Sequence, residues 1–283
     1  LEAKNKGDEE KIFSGLSKLT EEDPALQLQR DLETKEMIIS GMGQVHVEVA
    51  VEKLKRKFGV DVLLKEPKVP YREAIKKSVE QSYRHKKQSG GKGQFADVSI
   101  KVKPLERGAG YEFVDKVVGG VIPRQFIPAV DKGIQESIGK GPLAGYPVQD
   151  VQVTLFDGSH HSVDSSEMAF KIAGAMAFKK ALEAATPVLL EPVMEMEITV
   201  PDECVGEVIG DMNSRRGKVL GMEPQGSSQL VKAQVPMSEV LKYAPVLRSM
   251  TSDRGLFTME FTHYEEVPSH LMAKLLAELN NED

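Results

Sequence analysis

The hydrophobic positions of the first 65 residues follow two different periods. Residues 8–19 place Ile12, Leu16 and Leu19 on one helical face, and residues 47–58 repeat that spacing up to Gly59, a residue typical of helix C-caps. Residues 25–31, 35–40 and 60–64 are strand-like, with a turn predicted at Glu33-Thr34. With the short segment 1–5 as the first strand, the order β-α-β-β-α-β predicts a ferredoxin-like fold.

The last hundred residues repeat this order. Alternating segments predict strands at residues 193–200, 219–222, 229–235 and 256–263. Between them, the pattern predicts a helix over residues 202–216, stopped by Gly217, and a second helix that Ser238 caps. A short helix over residues 269–279 ends the chain. The two ends of the chain therefore share one predicted topology.

A different unit lies between two proline-containing linkers, at residues 67–70 and at Thr186-Pro187. Its pattern predicts strands over 71–83, 96–104 and 151–156, and helices over 122–138 and 167–185. The second helix is apolar almost all round, which predicts burial, and its capping-box pattern places Asp164 at the N-cap. The chain is thus predicted to be α+β, with domains at residues 1–67, 68–187 and 188–283.

Composition narrows the class of protein. The 283 residues are 40% hydrophobic and 28% charged with a net charge of −6, as in an ordinary globular protein and unlike one that binds nucleic acid over its whole surface. The single cysteine, Cys204, cannot form an internal disulfide. There is no 18-residue apolar run and no signal peptide, which predicts a cytoplasmic protein without a membrane partner. A start at Leu1 predicts a fragment of a longer chain.

Basic charge is concentrated in one segment. Residues 71–92 contain seven basic and two acidic residues, and they lead into the glycine-rich loop Gln88–Gln94. Glycines let backbone amides approach a phosphate or base closely, and Lys and Arg attract a nucleic-acid backbone. A solvated strand face followed by a loop has the same composition, so both interpretations stay open here.

The polar loop of residues 156–164 offers a second candidate chemistry. His160, His161 and Asp164 suggest a divalent metal site, and Ser159 or Ser162 beside a histidine suggests a nucleophile. Adjacent histidines on one strand point in opposite directions, and catalytic triads are assembled from distant segments, which favours a structural or binding loop.

Other motifs favour structural interpretations. None of the Gly-Lys pairs at 91–92, 139–140 and 217–218 fits a phosphate-binding P-loop. Gly41-Met42-Gly43 lacks the third glycine of a dinucleotide fingerprint and favours close packing of a strand and a helix. The segment Asn213–Gly217 either contacts a phosphate backbone or ends a helix.

Seven short strings, taken together, resemble bacterial translation elongation factor G. They stand in the order expected of that family and span almost all of the chain, at residues 39–46, 85–94, 119–123, 141–147, 163–167, 189–192 and 213–217. The resemblance implies the third, fourth and fifth domains of the factor. Two ferredoxin-like domains would flank a ribosomal-protein-like α/β domain with a left-handed βαβ crossover.

The resemblance also implies a site at the tip of the fourth domain. There, two loops would meet the codon-anticodon helix and the tRNA, and His161 would contact RNA by hydrogen bonding or stacking, without proton transfer. The implied tip residues are Gln88, Ser89, Gly90, Gly91, Lys92, Gly93, Gln94, His160, His161, Ser162 and Val163. Ribosomal RNA contacts are implied at Lys86, Lys87, Arg215 and Arg216.

By the same resemblance, this chain is not itself an enzyme and holds no cofactor. GTP and Mg²⁺ would bind elsewhere in a full-length, ribosome-stimulated GTPase. The implied partners are both ribosomal subunits, tRNA, mRNA, and the N-terminal GTPase domain and second domain of the same factor, which is expected to be a monomer.

Three positions depart from the usual family pattern. Gln44 replaces a usual Glu, His160 stands where Tyr is common, and Ser162 stands where Asp or Glu is common. Two subfamilies therefore remain, a translocating factor and a paralogue that acts in ribosome recycling. The alternative from another class is a metal-dependent or serine hydrolase centred on His160, His161 and Asp164.

Overall fold

The computed structural model describes residues 1–5, 7–31, 36–88 and 93–279. The chain divides into two compact units, one formed by Leu1–Pro70 with Val193–Thr262, and the other by Tyr71–Pro192 with His263–Asp283. Each unit is α+β, in agreement with the predicted fold class. The three domain boundaries drawn from the sequence stay a prediction. In the described part of the chain, no helix combines the length and apolar content needed to cross a bilayer.

The N-terminal part of the first unit has the predicted β-α-β-β-α-β order. Its elements are β1 (Glu2–Ala3), α1 (Glu9–Glu22), β2 (Gln27–Arg30), β3 (Met37–Ser40), α2 (Gln44–Phe58) and β4 (Val62–Leu63). β1 pairs with β4 and β2 pairs with β3, both antiparallel, and the amino group of Leu1 donates to the carbonyl of Met37 at 2.8 Å. Ile12, Leu16 and Leu54 are fully buried in the core. The predicted Glu33-Thr34 turn lies outside the described residues.

The glycine turn before α2 is closely packed, as its sequence predicted. A Cβ on Gly41 would lie 2.9 Å from Nδ1 of His46, and that nitrogen accepts the Met42 N–H at 3.1 Å. The other ring nitrogen, Nε2, lies 2.8 Å from the Asp23 carboxylate. This hydrogen bond, together with one from the Ala25 N–H, holds the pKa of Asp23 below its ordinary value.

The second unit is built on a four-stranded sheet. In chain order it contains β5 (Arg72–Ile75), β6 (Val79–Lys87), β7 (Gln94–Pro104), β8 (Tyr111–Asp115), α3 (Ile127–Ile138), β9 (Val151–Ser159), α4 (Glu167–Ala184) and the start of β10 (Pro187–Pro201). The sheet order is β6-β7-β9-β8, with β8 parallel to β9 and the other pairs antiparallel. Helices α3 and α4 pack on one face, where Phe170 of α4 and the strand residues Val98, Ile100 and Val153 are buried.

The β8–β9 pair requires a crossover connection because its strands run parallel, and α3 lies on that connection. The left-handed course of this crossover stays a prediction. β8 itself was missing from the predicted strands, since only Tyr111 and Phe113 carry its alternation.

Two expectations for this unit were wrong. The single strand predicted over 71–83 is two strands, because β5 pairs with Pro187–Leu190 of β10 while β6 pairs with β7. Between these two strands, the backbone N–H groups of Lys76 and Lys77 donate to the carbonyl of Ala185. The N-cap of α4 is Ser166, whose hydroxyl accepts the Ala169 N–H, and Asp164 has a different partner described below.

The C-terminal part of the first unit repeats the ferredoxin-like order. It contains the remainder of β10, then α5 (Val205–Ser214), β11 (Lys218–Gln225), β12 (Ser228–Pro236), α6 (Met237–Val240), α7 (Tyr243–Thr251) and most of β13 (Leu256–Glu266). The end of β13, from His263, and α8 (Ser269–Leu279) belong to the second unit. The sheet order is β11-β12-β10-β13. Its core includes Met196, Ile198, Val208 and Val231, with Cys204 buried beside them.

Ser238 does not cap a single long helix, as its sequence suggested. It lies inside the short α6, and α7 begins separately at Tyr243. Pro245 explains the break, because proline has no N–H to donate and fits a helix only within its first turn.

Candidate nucleic-acid interface

Two sequence segments that are about 70 residues apart meet at one end of the four-stranded sheet. The Gly93 N–H donates to Oδ1 of Asp164 at 3.1 Å, and the Phe95 N–H donates to the Asp164 carbonyl at 2.9 Å. A Cβ on Gly93 would lie 3.0 Å from the Asp164 carboxylate, so glycine permits this close approach. The structure therefore joins the start of β7 to the loop of residues 160–166 in one tip.

Ser165 adds a second link between the same two segments. Its hydroxyl donates to the Phe95 carbonyl at 2.8 Å and accepts the His161 N–H at 2.9 Å. The Ser165 N–H in turn donates to the His161 carbonyl at 3.2 Å. These bonds fix the backbone of His161 relative to β7.

The His161 ring is oriented by its own loop. Its Nδ1 accepts the N–H groups of Val163 at 3.3 Å and Asp164 at 3.2 Å. Because Nδ1 is an acceptor, the neutral ring carries its proton on Nε2. Oδ2 of Asp164 lies 3.4 Å from the same nitrogen. The side chain is 53% exposed and presents Nε2–H as a donor.

His160 has a different partner and brings a third loop to the tip. Its Nδ1 lies 3.0 Å from the Val121 carbonyl and donates to it. Val121 follows Gly119 and Gly120, both at φ 69°, a conformation that favours glycine. The string at 119–123 contributed to the family resemblance, but nothing in its pattern showed that it contacts the tip.

This geometry argues against the hydrolase alternative. The imidazoles of His160 and His161 are held by separate partners, and neither Ser159 nor Ser162 is hydrogen-bonded to them among the described residues. Over the same residues, no three His, Cys, Asp or Glu side chains are grouped as a metal site requires.

The basic segment of residues 71–92, called the basic arm below, reaches the same end of the sheet along β6. His85 Nε2 lies 2.9 Å from Oε1 of Gln94, which joins β6 to β7 beside the tip. Lys86, Lys87 and Gln88 are exposed. The predicted contacts Ser89, Gly90, Gly91 and Lys92 lie outside the described residues.

Arg215 and Arg216 lie in the first unit, and both are engaged in local contacts. Arg215 donates to Asp211 at 2.7 Å and to the Glu239 carbonyl at 2.6 Å. Arg216, at φ 59°, donates to the Glu239 carboxylate at 2.9 Å. These contacts anchor the end of α5, and a role in binding ribosomal RNA stays a prediction.

Comparisons with known proteins identify the family. A model of elongation factor G domain III matches residues 1–66, one of elongation factor G domain IV matches residues 67–186, and one of the elongation factor G C-terminus matches residues 188–275. An elongation factor G-like protein of Thermotoga maritima is 54% identical over 280 residues, which are 99% of this chain and 41% of that protein.

A crystal structure of a protein from Thermus thermophilus has the same fold, with a TM-score of 0.88 at 44% identity over 100% of this chain and 42% of the other. The chain thus spans about two fifths of the length of these relatives. Because three consecutive domain models account for nearly all of its residues, the chain belongs to the elongation factor G family of translation factors.

Proposed function

We propose that this chain is the ribosome-binding part of a factor that drives GTP-dependent translocation of tRNA and mRNA, and that its tip enters the decoding site. The observation that carries the proposal is the joining of β7 to the loop of residues 160–166 through Asp164 and Ser165. This bonding fixes the two segments to each other at the end of a sheet. A loop held to a sheet in this way can transmit a movement of its domain to the RNA that it contacts.

The chemistry of the tip suits RNA of any sequence. Nε2–H of His161 and the exposed Lys86 and Lys87 are donors that can reach phosphates, 2′-hydroxyls or base edges. Recognition of backbone and shape is blind to codon sequence, as translocation of every tRNA requires. The basic arm is positive although the whole chain has a net charge of −6, which directs the attraction to this end.

The remaining parts of the mechanism lie elsewhere in the proposed full-length protein. GTP and Mg²⁺ would bind its N-terminal GTPase domain, and that domain and the second domain would be intramolecular partners of this chain. The factor would act as a monomer in the cytoplasm, in contact with both ribosomal subunits, tRNA and mRNA.

Ribosome recycling is a second candidate, favoured by the departures at His160 and Ser162. At the position where Tyr is usual, the His160 imidazole donates a hydrogen bond to the Val121 carbonyl. This bond links the tip to a third loop through a side chain that is not the usual one. A recycling paralogue keeps the same domains with a different tip.

One experiment separates the two candidates. The chain is joined to its natural upstream coding sequence, and single-round mRNA movement is followed on pre-translocation ribosomes with GTP. Prompt movement by one codon supports translocation. Ribosome splitting with recycling factor, without mRNA movement, favours recycling. A protein that shows neither activity would contradict both candidates.

The role of the tip is tested with His161→Ala in the same joined protein. We expect translocation to slow by about tenfold, because the variant loses one hydrogen bond to RNA, which contributes about 1.4 kcal/mol. Ribosome binding and GTP turnover should stay nearly unchanged. His270→Ala, which changes an exposed histidine of α8, is the matched control. Unchanged translocation by His161→Ala would remove the tip assignment.

A further inference from the structure

The four-stranded sheet of the second unit has one face that its helices do not cover. Along β7, Ile100 and Val102 point into the core, and the alternating Lys101 and Lys103 point away from it. An open groove runs over this outer sheet face, lined by Lys101, Lys103, Lys116, Gln152, Thr154 and Phe156, together with Glu80 at its edge. None of these residues belongs to the tip described above.

The strand register places the polar side chains in rows. Lys101 pairs with Thr154, and Lys103 pairs with Gln152, while Lys116 follows the end of β8 and donates its N–H to the Leu155 carbonyl. Gln152 also pairs with Glu112 of β8, so the face carries three lysines, two neutral hydrogen-bonding groups and two acidic residues, Glu80 and Glu112. Such a surface can contact several negatively charged groups at once.

The lysines differ in how far they are already neutralised. Lys101 is paired with Glu80 at 3.0 Å. Lys103 and Lys116 are exposed and form no ion pair within the described residues. The nearby Glu112 carboxylate accepts a hydrogen bond from the side-chain amide of Gln152. Two lysines are thus available for an anionic partner, in a chain whose overall charge is −6.

We propose that the outer sheet face is a second RNA-contact surface, separate from the tip, which takes the phosphate backbone of an RNA duplex. The proposal rests on the proposed function for the presence of an RNA partner. The duplex follows from the chemistry of the face. Single strands are held mainly by bases stacking on aromatic rings, and the one aromatic ring among the groove residues, Phe156, is half-buried. Lysines and amides on a broad surface suit phosphates and 2′-hydroxyls of a helix.

The test measures binding of the 283-residue chain to a fluorescein-labelled 18-base-pair RNA duplex by anisotropy, over a series of KCl concentrations. Lys103→Gln with Lys116→Gln is expected to weaken binding by roughly tenfold at 100 mM salt and to reduce the slope of log K against log salt by about two. Lys103→Arg with Lys116→Arg keeps both charges and is expected to restore the affinity.

The matched control removes two exposed lysines from the helical layer, Lys132→Gln with Lys179→Gln, and leaves the net charge equal to that of the test variant. Equal losses in the test and control variants, or no loss in the test variant, would overturn the proposal. The assignment of a duplex would be overturned if the chain bound a single-stranded RNA of the same length as tightly and the test variant weakened that binding equally. Because the assay involves no ribosome and no GTP, its outcome is independent of whether the joined protein translocates.

Discussion

A single buried carboxylate organises the loop of residues 141–147. Glu73 is 1% exposed, and its two oxygens accept the N–H groups of Leu143 at 2.9 Å, Ala144 at 2.9 Å and Tyr146 at 3.2 Å. A Cβ on Gly141 would lie 2.3 Å from Oε2, so glycine is required where the loop passes the carboxylate. The three donors compensate for the burial of a charged group.

Glu73→Gln tests that role. The substitution places an NH₂ group against backbone N–H donors, which leaves at least one buried donor unpaired, and we expect it to lower the free energy of unfolding by about 2–4 kcal/mol. Urea unfolding and hydrogen exchange at Leu143, Ala144 and Tyr146 measure the effect. Glu80→Gln changes an exposed glutamate of the same unit and should cost less than about 0.5 kcal/mol. Unchanged protection of the three amides would contradict this role.

Contacts of this kind could not be predicted from the sequence. Glu73 counted there only as one of two acids in a basic segment, since the amides that it binds lie 70 to 73 residues away. Asp164 was predicted to cap its own helix, and instead it accepts the N–H of Gly93, 71 residues away. Local patterns report on neighbours in sequence, whereas a side chain bonded to a distant backbone leaves no period to detect.

At the scale of elements, α3 and α4 approach closely because each presents a glycine to the other. A Cβ on Gly133 of α3 would lie 2.1 Å from the carbonyl oxygen of Lys171, and a Cβ on Gly174 of α4 would lie 2.8 Å from that of Val130. Backbone lies against backbone at both points, so neither site can be relieved by a change of rotamer.

We therefore expect Gly133→Ala to force the two helices apart and to destabilise the second unit by about 1–3 kcal/mol, despite the better helix propensity of alanine. The control is Gly139→Ala at the C-cap of the same helix, where the new Cβ has open space and φ is −62°. That variant should be neutral or stabilised by up to about 1 kcal/mol. Thermal unfolding of the pair decides the question, and equal melting temperatures would show that the helices can separate at little cost.

The long elements were the ones that periodicity could predict. The buried helix expected over 167–185 is α4 at Glu167–Ala184, and both β-α-β-β-α-β segments were confirmed. The short β8 was not predicted, and α6 and α7 were predicted as a single helix. In each case a partner strand or one proline decides the structure, and such effects override a weak local pattern.

At the scale of the whole molecule, the order of short motifs identified the family, although no single motif carried a mechanism. The described parts of the two candidate loops are joined by hydrogen bonds, and their contact with RNA stays a prediction. The third loop at Val121 and the outer sheet face were not anticipated, because their residues come together only through the sheet order β6-β7-β9-β8.

At the same scale, the positions of the Gly-Lys pairs lead to the prediction that this chain does not hydrolyse GTP by itself. Phosphate-binding loops place Gly-Lys before a helix, where the N-terminal amides and the positive end of the helix dipole face the anion. Here Gly139-Lys140 follows α3, and Gly217-Lys218 follows α5, so both pairs lie at the carbonyl end of a helix; Gly91-Lys92 lies outside the described residues.

We expect the purified 283-residue chain to release no phosphate from GTP above the buffer rate, with or without ribosomes, in a phosphate-release assay. The same chain joined to its upstream coding sequence should turn over GTP when ribosomes are added. Turnover by the chain alone, persisting after a further purification step and lost on heat unfolding, would show a nucleotide site within these domains. That result would contradict the division of labour proposed here, in which the GTPase half supplies the energy of GTP and this chain applies it to RNA through its tip.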